Sequence, residues 1–292
     1  MVGMRLMFIH AHPDDESSKG AATCAKYAAE GHRVRIVTCT GGERGDVLNP
    51  RLQGDPAIEQ DLPAIRRVEM ARSAAALGVE HVWLGFVDSG LPQGDPLPPL
   101  PEGCFAAQPL EVTAAALAAQ LTEFRPHVLV TYNERGGYPH PDHIMVHRAT
   151  MAALARAAGP DVVGRWDVPK VYYDVSFSRA QIVALDEAIR AAGLVSPFEG
   201  WLTRHDDDAP ARRVTARVDV AQYFPQRDAA LRAHATQIDP DGFFFAAPRD
   251  IEARAWPWEE YELAYSRVPV PDCEDSLLTG LAEAIADGRI EA

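Results

Sequence analysis

Lysine is nearly absent from this chain, standing only at positions 19, 26 and 170 of 292 residues. Lysine and arginine together number 28 against 42 aspartates and glutamates, a formal net charge of −14. Nucleic acids and anionic membranes are bound through clustered cations that displace counterions, so this balance excludes both and favours a neutral or cationic small molecule. No apolar run approaches the ~20 residues of a membrane span, and no basic segment followed by an apolar stretch opens the chain. These absences predict a soluble, cytoplasmic protein. Cys24, Cys39, Cys104 and Cys273 form no C-x-x-C pair, which argues against thiolate metal sites and disulfide frameworks and leaves free thiols. A G-x-S-x-G elbow is also missing, against serine hydrolase chemistry, and the glycines of Thr40–Gly45 lack the G-x-G-x-x-G spacing of a dinucleotide site.

What the chain does have is enough apolar residue, 47%, to fill one large core or two unequal ones. Leu6-Met7-Phe8-Ile9 reads as a buried strand, and 17–30 as a helix ending at Gly31. Strands are predicted again at 33–38, 81–84, 127–132 and 170–175, separated by helices at 62–77, 110–124 and 144–158. This alternation predicts an α/β fold over 1–175, a Rossmann-like, mostly parallel sheet with helices on both faces that carries the catalytic residues. Gly85 to Pro109 is too long for an idle connection and is expected to form a lid or pocket wall. From 176 to 292 the alternation loosens: helices at 181–192 and 226–236, a surface strand at 213–220, and aromatics in 239–245 and 256–265. A smaller C-terminal subdomain that walls the substrate pocket is expected there.

Chemistry is concentrated in two turns. His10-Ala11-His12-Pro13-Asp14-Asp15-Glu16 follows the first strand, and Asn133 to His143, containing His140-Pro141-Asp142-His143, follows the fourth. Both lie at the carboxyl edge of a parallel sheet, where ligands bind. Acids before a helix commonly cap its free N–H groups, but a second His-rich turn favours a catalytic metal centre with about three protein ligands. His12, Asp15 and His143 suit one divalent ion per chain, Zn2+ or Fe2+. His143 with His147, four apart on a helix, is a competing pair, and His10 fits better as a hydrogen-bonded core histidine. Asp14 is placed to act as general base on the attacking water. His140, fixed between two prolines, is set to stabilise an oxyanion or protonate a leaving group, with Asp142 orienting it. Gly136-Gly137 gives Tyr138 a hinge that lets its hydroxyl reach the same oxyanion. A nonhydrolytic sugar-binding module with a structural metal is the alternative from another class, but such a site would use four ligands and this set offers three.

Ala-His-Pro-Asp-Asp-Glu at 11–16 and His-Pro-Asp-His at 140–143 together resemble the LmbE-like, PIG-L-type N-deacetylases. That resemblance implies a metal-dependent hydrolase of N-acyl glucosamine compounds, with metal on His12, Asp15 and His143 and with Asp14 as base. Segments 17–23, 41–45, 84–91, 136–143 and 231–240 look closer still to one subgroup, the actinobacterial amidases of mycothiol S-conjugates. The subgroup implies amide hydrolysis to glucosaminyl-inositol and an S-substituted N-acetylcysteine, in detoxification. Related enzymes deacetylate the N-acetylglucosaminyl-inositol precursor, which is the alternative. Lys19 separates the two, since the precursor deacetylases lack it. As a cation in the first turn of a helix it opposes the helix dipole, so it is expected either to pair with Glu16 or a neighbouring acid or to touch substrate. Similarity further suggests that Asp88 and Arg67 hold sugar hydroxyls, against the alternatives of a turn-forming aspartate and a solvated helix face.

Overall fold

In the computed structural model, which describes residues 3–204 and 212–292, the first strand, β1 (Arg5–His10), lies mid-sheet and alternates its side chains between two cores. Leu6 and Phe8 enter one cluster with Ile36, Val128 and Tyr172, while Met7 and Ile9 enter another with Val37, Leu129 and Val171. A strand buried on both faces needs a continuous apolar run, which is why its sequence shows no polar alternation. Each such large side chain contributes roughly 1.5–3 kcal/mol on burial.

From β1 the chain passes through two short helices, α1 (Asp15–Ser18) and α2 (Ala21–Ala29), into β2 (Arg33–Thr40). Helices α3 (Pro56–Gln60) and α4 (Leu62–Leu77) lead to β3 (Glu80–Phe86). Helix α5 (Leu110–Phe124) then carries the chain back across the sheet to β4 (Val128–Thr131), and α6 (Pro141–Ala157) to β5 (Lys170–Asp174). The helices α7 (Arg179–Ala191) and α8 (Glu199–Arg204) precede β6 (Ala216–Asp219), and α9 (Phe224–Ala233), α10 (Arg249–Ala255), β7 (Trp258–Ser266) and α11 (Leu281–Ala286) complete the order. The sheet runs β3-β2-β1-β4-β5-β7-β6. β1 to β5 are parallel, while β7 pairs antiparallel with both β5 and β6. The mostly parallel α/β sheet expected from the alternation is present, and its strand order reverses between β1 and β4. The carboxyl ends of these two strands therefore flank the crevice in which open α/β sheets bind ligands. None of the described helices is long and apolar enough to cross a membrane.

The chain beyond residue 175 adds β6 and β7 to this same sheet. Its final stretch returns beneath β5, where Glu274 accepts hydrogen bonds from the fully buried Lys170 ammonium and from the Tyr172 hydroxyl (2.6 Å). A third apolar cluster joins α7 and α10 through Ile182, Leu185, Ile189, Ile251 and Trp256.

The helix expected at 17–30 is broken. α1 ends at Ser18, and Gly20 takes a left-handed conformation (φ +91°) before α2 starts. Helical propensity yields here to packing, because a Cβ on Gly20 would stand 3.0 Å from the Phe8 ring and 3.2 Å from the Tyr261 hydroxyl. Lys19 accordingly sits at the C-terminal end of α1, not in a first helical turn. Gly20→Ala is expected to combine backbone strain with this clash and destabilise by about 2 kcal/mol or more. Urea unfolding checks it, and a midpoint equal to that of the native chain would contradict the account.

Candidate metal and active site

The first turn is held by its own backbone. Asp14 adopts φ 142°, ψ −25°, a conformation costly for a residue with a Cβ, of order 1–3 kcal/mol. Several contacts maintain it. The Asp14 N–H donates to Glu16 Oε2 (3.0 Å), the Asp14 carbonyl accepts from Ser17 N (3.0 Å) and Ser17 Oγ (2.6 Å), and Arg66 of α4 reaches Asp14 Oδ2 (3.2 Å) and the Pro13 carbonyl (2.6 Å). Glu16 turns away from the crevice, with Oε1 bonded to Ser73 Oγ (2.5 Å) and His234 Nε2 (2.6 Å), all buried. Burial resists the charge on both partners, but the pairing overcomes it, raising His234 and pulling Glu16 down to about 2.

The second turn is built around His143. Asn133 Oδ1 accepts from the N–H groups of Arg135 (3.2 Å) and Gly137 (3.1 Å), folding the loop back. Gly136 (φ +73°) then passes so close that a Cβ there would lie 2.6 Å from the His143 Cβ. Its carbonyl accepts the His143 Nδ1 proton at 2.9 Å, and the Tyr132 ring stacks on the imidazole at 4.3 Å and 11°. His140 is the N-cap of α6, its Nδ1 accepting the Asp142 N–H (3.2 Å).

These turns meet at Asp15. His143 Nε2 lies 3.3 Å and His12 Nδ1 3.5 Å from Asp15 Oδ2, and the ligand atoms of the three residues all fall within 4.8 Å of one another. With Nδ1 committed to Gly136 and burial lowering its pKa, His143 is neutral, so its Nε2 presents a lone pair. That nitrogen is buried, has no hydrogen-bond partner among the described residues, and faces a carboxylate oxygen. Two acceptors at this separation repel unless a cation lies between them. Two imidazoles and one carboxylate fit Zn2+ or Fe2+. The far nitrogen of His12, Nε2, lies 3.3 Å from Asp142 Oδ2 and 3.4 Å from Asp88 Oδ1, the carboxylate–imidazole arrangement that fixes a ligating histidine.

A second group, His12, Asp88, His140 and Asp142, is equally compact. Its carboxylates are already satisfied: Asp142 accepts from Ser89 N (2.8 Å) and Ala106 N (3.0 Å), and Asp88 from Gly90 N (2.7 Å) and Arg44 N (3.2 Å). Its carboxylates thus support His12 by hydrogen bonding, whereas the orphaned His143 nitrogen leaves the first group the better candidate for a metal. Burial resists a charge on His12, and Asp142, Asp15 and Asp88 together overcome that and raise its pKa. Asp15 is likewise held well below the ordinary carboxylate range despite burial, with the Lys19 ammonium on its Oδ1.

The other predicted residues fall as follows. The His140 ring lies 4.6 Å from that of His12, and burial, with His12 and His143 beside it, lowers its pKa to about 3. It is therefore neutral and, with Nδ1 accepting, carries its proton on Nε2. Tyr138, 43% exposed, stands 4.5 Å from the His143 ring. Asp142 does not orient the His140 ring through its carboxylate, which faces His12; only its backbone N–H meets His140. Lys19 Nζ binds Asp15 Oδ1 at 2.7 Å, so its acidic partner is Asp15 and not Glu16. Arg67 is exposed and stacks on Trp83 at 5.1 Å, while its neighbour Arg66, buried, is the arginine that enters the crevice. One residue along a helix is a 100° rotation, and Arg66 belongs to the buried stripe Leu62, Arg66, Glu69, Met70, Ser73. That stripe was a usable signal. His147 bonds the Tyr132 carbonyl (3.0 Å) and belongs to neither ligand group, and His10 bonds the Tyr132 hydroxyl (3.2 Å) inside the core.

Comparison with known proteins agrees with this geometry. The family model described as PIG-L, GlcNAc-PI de-N-acetylase, matches residues 7–154, which span both turns. A mycothiol S-conjugate amidase of Streptomyces coelicolor is 52% identical over 287 residues, 96% of this chain and 98% of that one. A 1D-myo-inositol 2-acetamido-2-deoxy-alpha-D-glucopyranoside deacetylase of a Nocardioides species is 41% identical, covering 89% and 92%. Among solved structures, N,N'-diacetylchitobiose deacetylase of Pyrococcus horikoshii shares the fold with a TM-score of 0.61 at 18% identity, over 90% of this chain and 84% of that one. With the family model over half its length and full-length relatives far above 30% identity, the chain belongs to the PIG-L, GlcNAc-PI de-N-acetylase family.

Proposed function

We propose that this protein is a cytoplasmic amidase that hydrolyses mycothiol S-conjugates to glucosaminyl-inositol and an S-substituted N-acetylcysteine, in detoxification. The observation that carries the reading is the end-to-end 52% identity to the S-conjugate amidase. Deacetylation of the N-acetylglucosaminyl-inositol precursor is the second reading, favoured by the 41% identical deacetylase. Segment 176–292 walls the substrate pocket in this reading.

Bound by His12, Asp15 and His143, one divalent ion, Zn2+ or Fe2+, would supply Lewis acidity toward the amide carbonyl and the attacking water. Asp14 is the base that takes the water proton and passes it to the leaving amine. Burial raises its pKa and Arg66 opposes that rise, moving it toward the range useful for a base. The strained Asp14 backbone separates the two neighbouring carboxylates by role: Asp15 turns to the imidazoles and Asp14 to Arg66. His140 donates a hydrogen bond from its Nε2–H to the oxyanion and keeps the proton. Tyr138 is a second donor, its hydroxyl kept protonated because burial, and after it Asp15, raises its pKa. Once the C–N bond breaks, the amine leaves with the proton held by Asp14. Lys19 contacts the N-acetylcysteinyl portion, and Asp88 fixes His12 while bordering the sugar side.

Asp14→Ala should lower turnover of a mycothiol S-conjugate by about a thousandfold or more, with metal content intact; full activity in that variant would refute the mechanism. Chelation should abolish hydrolysis, and Zn2+ or Fe2+ should restore it. Assayed side by side on a conjugate and on the N-acetylglucosaminyl-inositol precursor, Lys19→Ala should lose about tenfold more kcat/KM on the conjugate. Equal losses would favour the deacetylase reading. Asp14→Gly, equally inactive, should exceed Asp14→Ala in unfolding free energy by about 1–2 kcal/mol, reversing the usual order of alanine over glycine.

A further inference from the structure

Beyond β5, at the same edge of the sheet as the two turns, lies a cavity of about 90 Å³ that opens to solvent. It opens two strands from β1, about 10 Å away at the spacing of paired strands. Ser18 of α1 forms part of its wall. The Ser18 hydroxyl donates to the Asp15 carbonyl (3.2 Å) and accepts from Lys19 Nζ (3.2 Å), which itself binds Asp15 Oδ1. Lys19 and Ser18 thus link the proposed metal ligands to the cavity wall.

Its charged lining is already paired. Arg227 grips Glu252 (2.7 Å), Arg249 bonds Asp228 (2.8 Å), Glu260 holds Arg217 (2.8 Å), and the Glu259 carboxylate accepts the N–H groups of Ala22 (3.1 Å) and Thr23 (2.8 Å) at the start of α2. What remains for a ligand is largely aromatic surface, with Ser176 and Gln181 beside it. Phe177 stands edge-on to Phe243 (5.4 Å) and Phe244 (5.8 Å), Phe243 meets Phe198 (5.8 Å), and Trp256 and Trp258 lie 5.7 Å apart. Two features mark this wall as more than core. Phe177 is held at φ +56°, a left-handed conformation that a bulky aromatic residue rarely adopts and that clusters at ligand clamps. The Trp258 indole N–H is buried with no acceptor among the described residues.

We infer that this cavity seats the S-substituent of the conjugate, and that it selects uncharged aromatic substituents. The inference rests on the amidase reading and deepens it. The polar N-acetylcysteinyl link lies along Lys19 and Ser18, and the group on sulfur enters the ring-lined depth. An acetyl group, the acyl part of the precursor, is too small to reach it.

The test measures kcat/KM of the metal-loaded enzyme on S-benzyl and S-methyl mycothiol and on the precursor. The native protein should favour the benzyl conjugate by about tenfold or more, the effect of one well-seated ring. Phe177→Gly, which removes the ring and relieves its backbone, and Phe243→Ala, at a partly exposed ring, should each bring the benzyl-to-methyl ratio toward one. Melting curves identify any variant that has lost its fold, and the other then decides. A native enzyme without benzyl preference, or a ratio unchanged in the folded variants, overturns the subsite while leaving the amidase reading in place. Hydrolysis of the precursor with neither conjugate cleaved overturns the amidase reading and the subsite together.

Discussion

The structure depends on one buried carboxylate. Asp15 is withdrawn from water, and an uncompensated charge in such a place costs several kcal/mol. Its two oxygens are met by a lysine, by the His12 backbone N–H, and by two imidazole nitrogens from turns about 130 residues apart in sequence. The neutral His143 nitrogen brings a lone pair and no proton, an arrangement suited to a cation. Site chemistry and site stability are in this sense the same requirement, since the protein holds the ligands in a geometry that their own charges would otherwise oppose.

Holding them takes structure from all over the chain. α1 is four residues long, far too short to persist alone. It is clamped by Ser73 on α4 and by His234 beyond α9 through Glu16, and by Arg66 through the Pro13 carbonyl. These contacts maintain the backbone strain at Asp14, which keeps two adjacent acids in different environments. The same clamp explains why His234, remote from the motifs, lies in the core.

The C-terminal third completes the sheet. β7 presents Glu259 to the start of α2, tying the last strand to the segment just after the metal turn. The buried Lys170, one of only three lysines, is neutralised by Glu274, so the chain end is fastened beneath β5 by charge as well as by packing. A cavity lined by aromatic rings remains between these elements and α1. The charged side chains around it are paired with one another or with backbone N–H groups.

Much of this was legible in the sequence. Helices α4 and α5 fall where the spacing put them, because long amphipathic or apolar segments with glycine or αL caps are governed by local pattern. The two turns and the meeting of His12, Asp15 and His143 were readable because ligand-type residues seldom gather so densely for another reason. Three features were decided elsewhere. Gly20 broke a helix that propensity favoured, since Phe8 and Tyr261 leave no room for a Cβ. Arg66 displaced Arg67 as the arginine of the crevice, since helix rotation selects between neighbours and only the packed face shows which way it turns. Asp142 went to His12 and not to the His140 ring, since a partner in a different turn is invisible to spacing along one turn. By itself the sequence determined which turns concentrate histidines and carboxylates, and that both end at the same sheet edge. The tertiary structure decided which oxygen meets which nitrogen, because those contacts join residues whose separation in the chain carries no information about their separation in space.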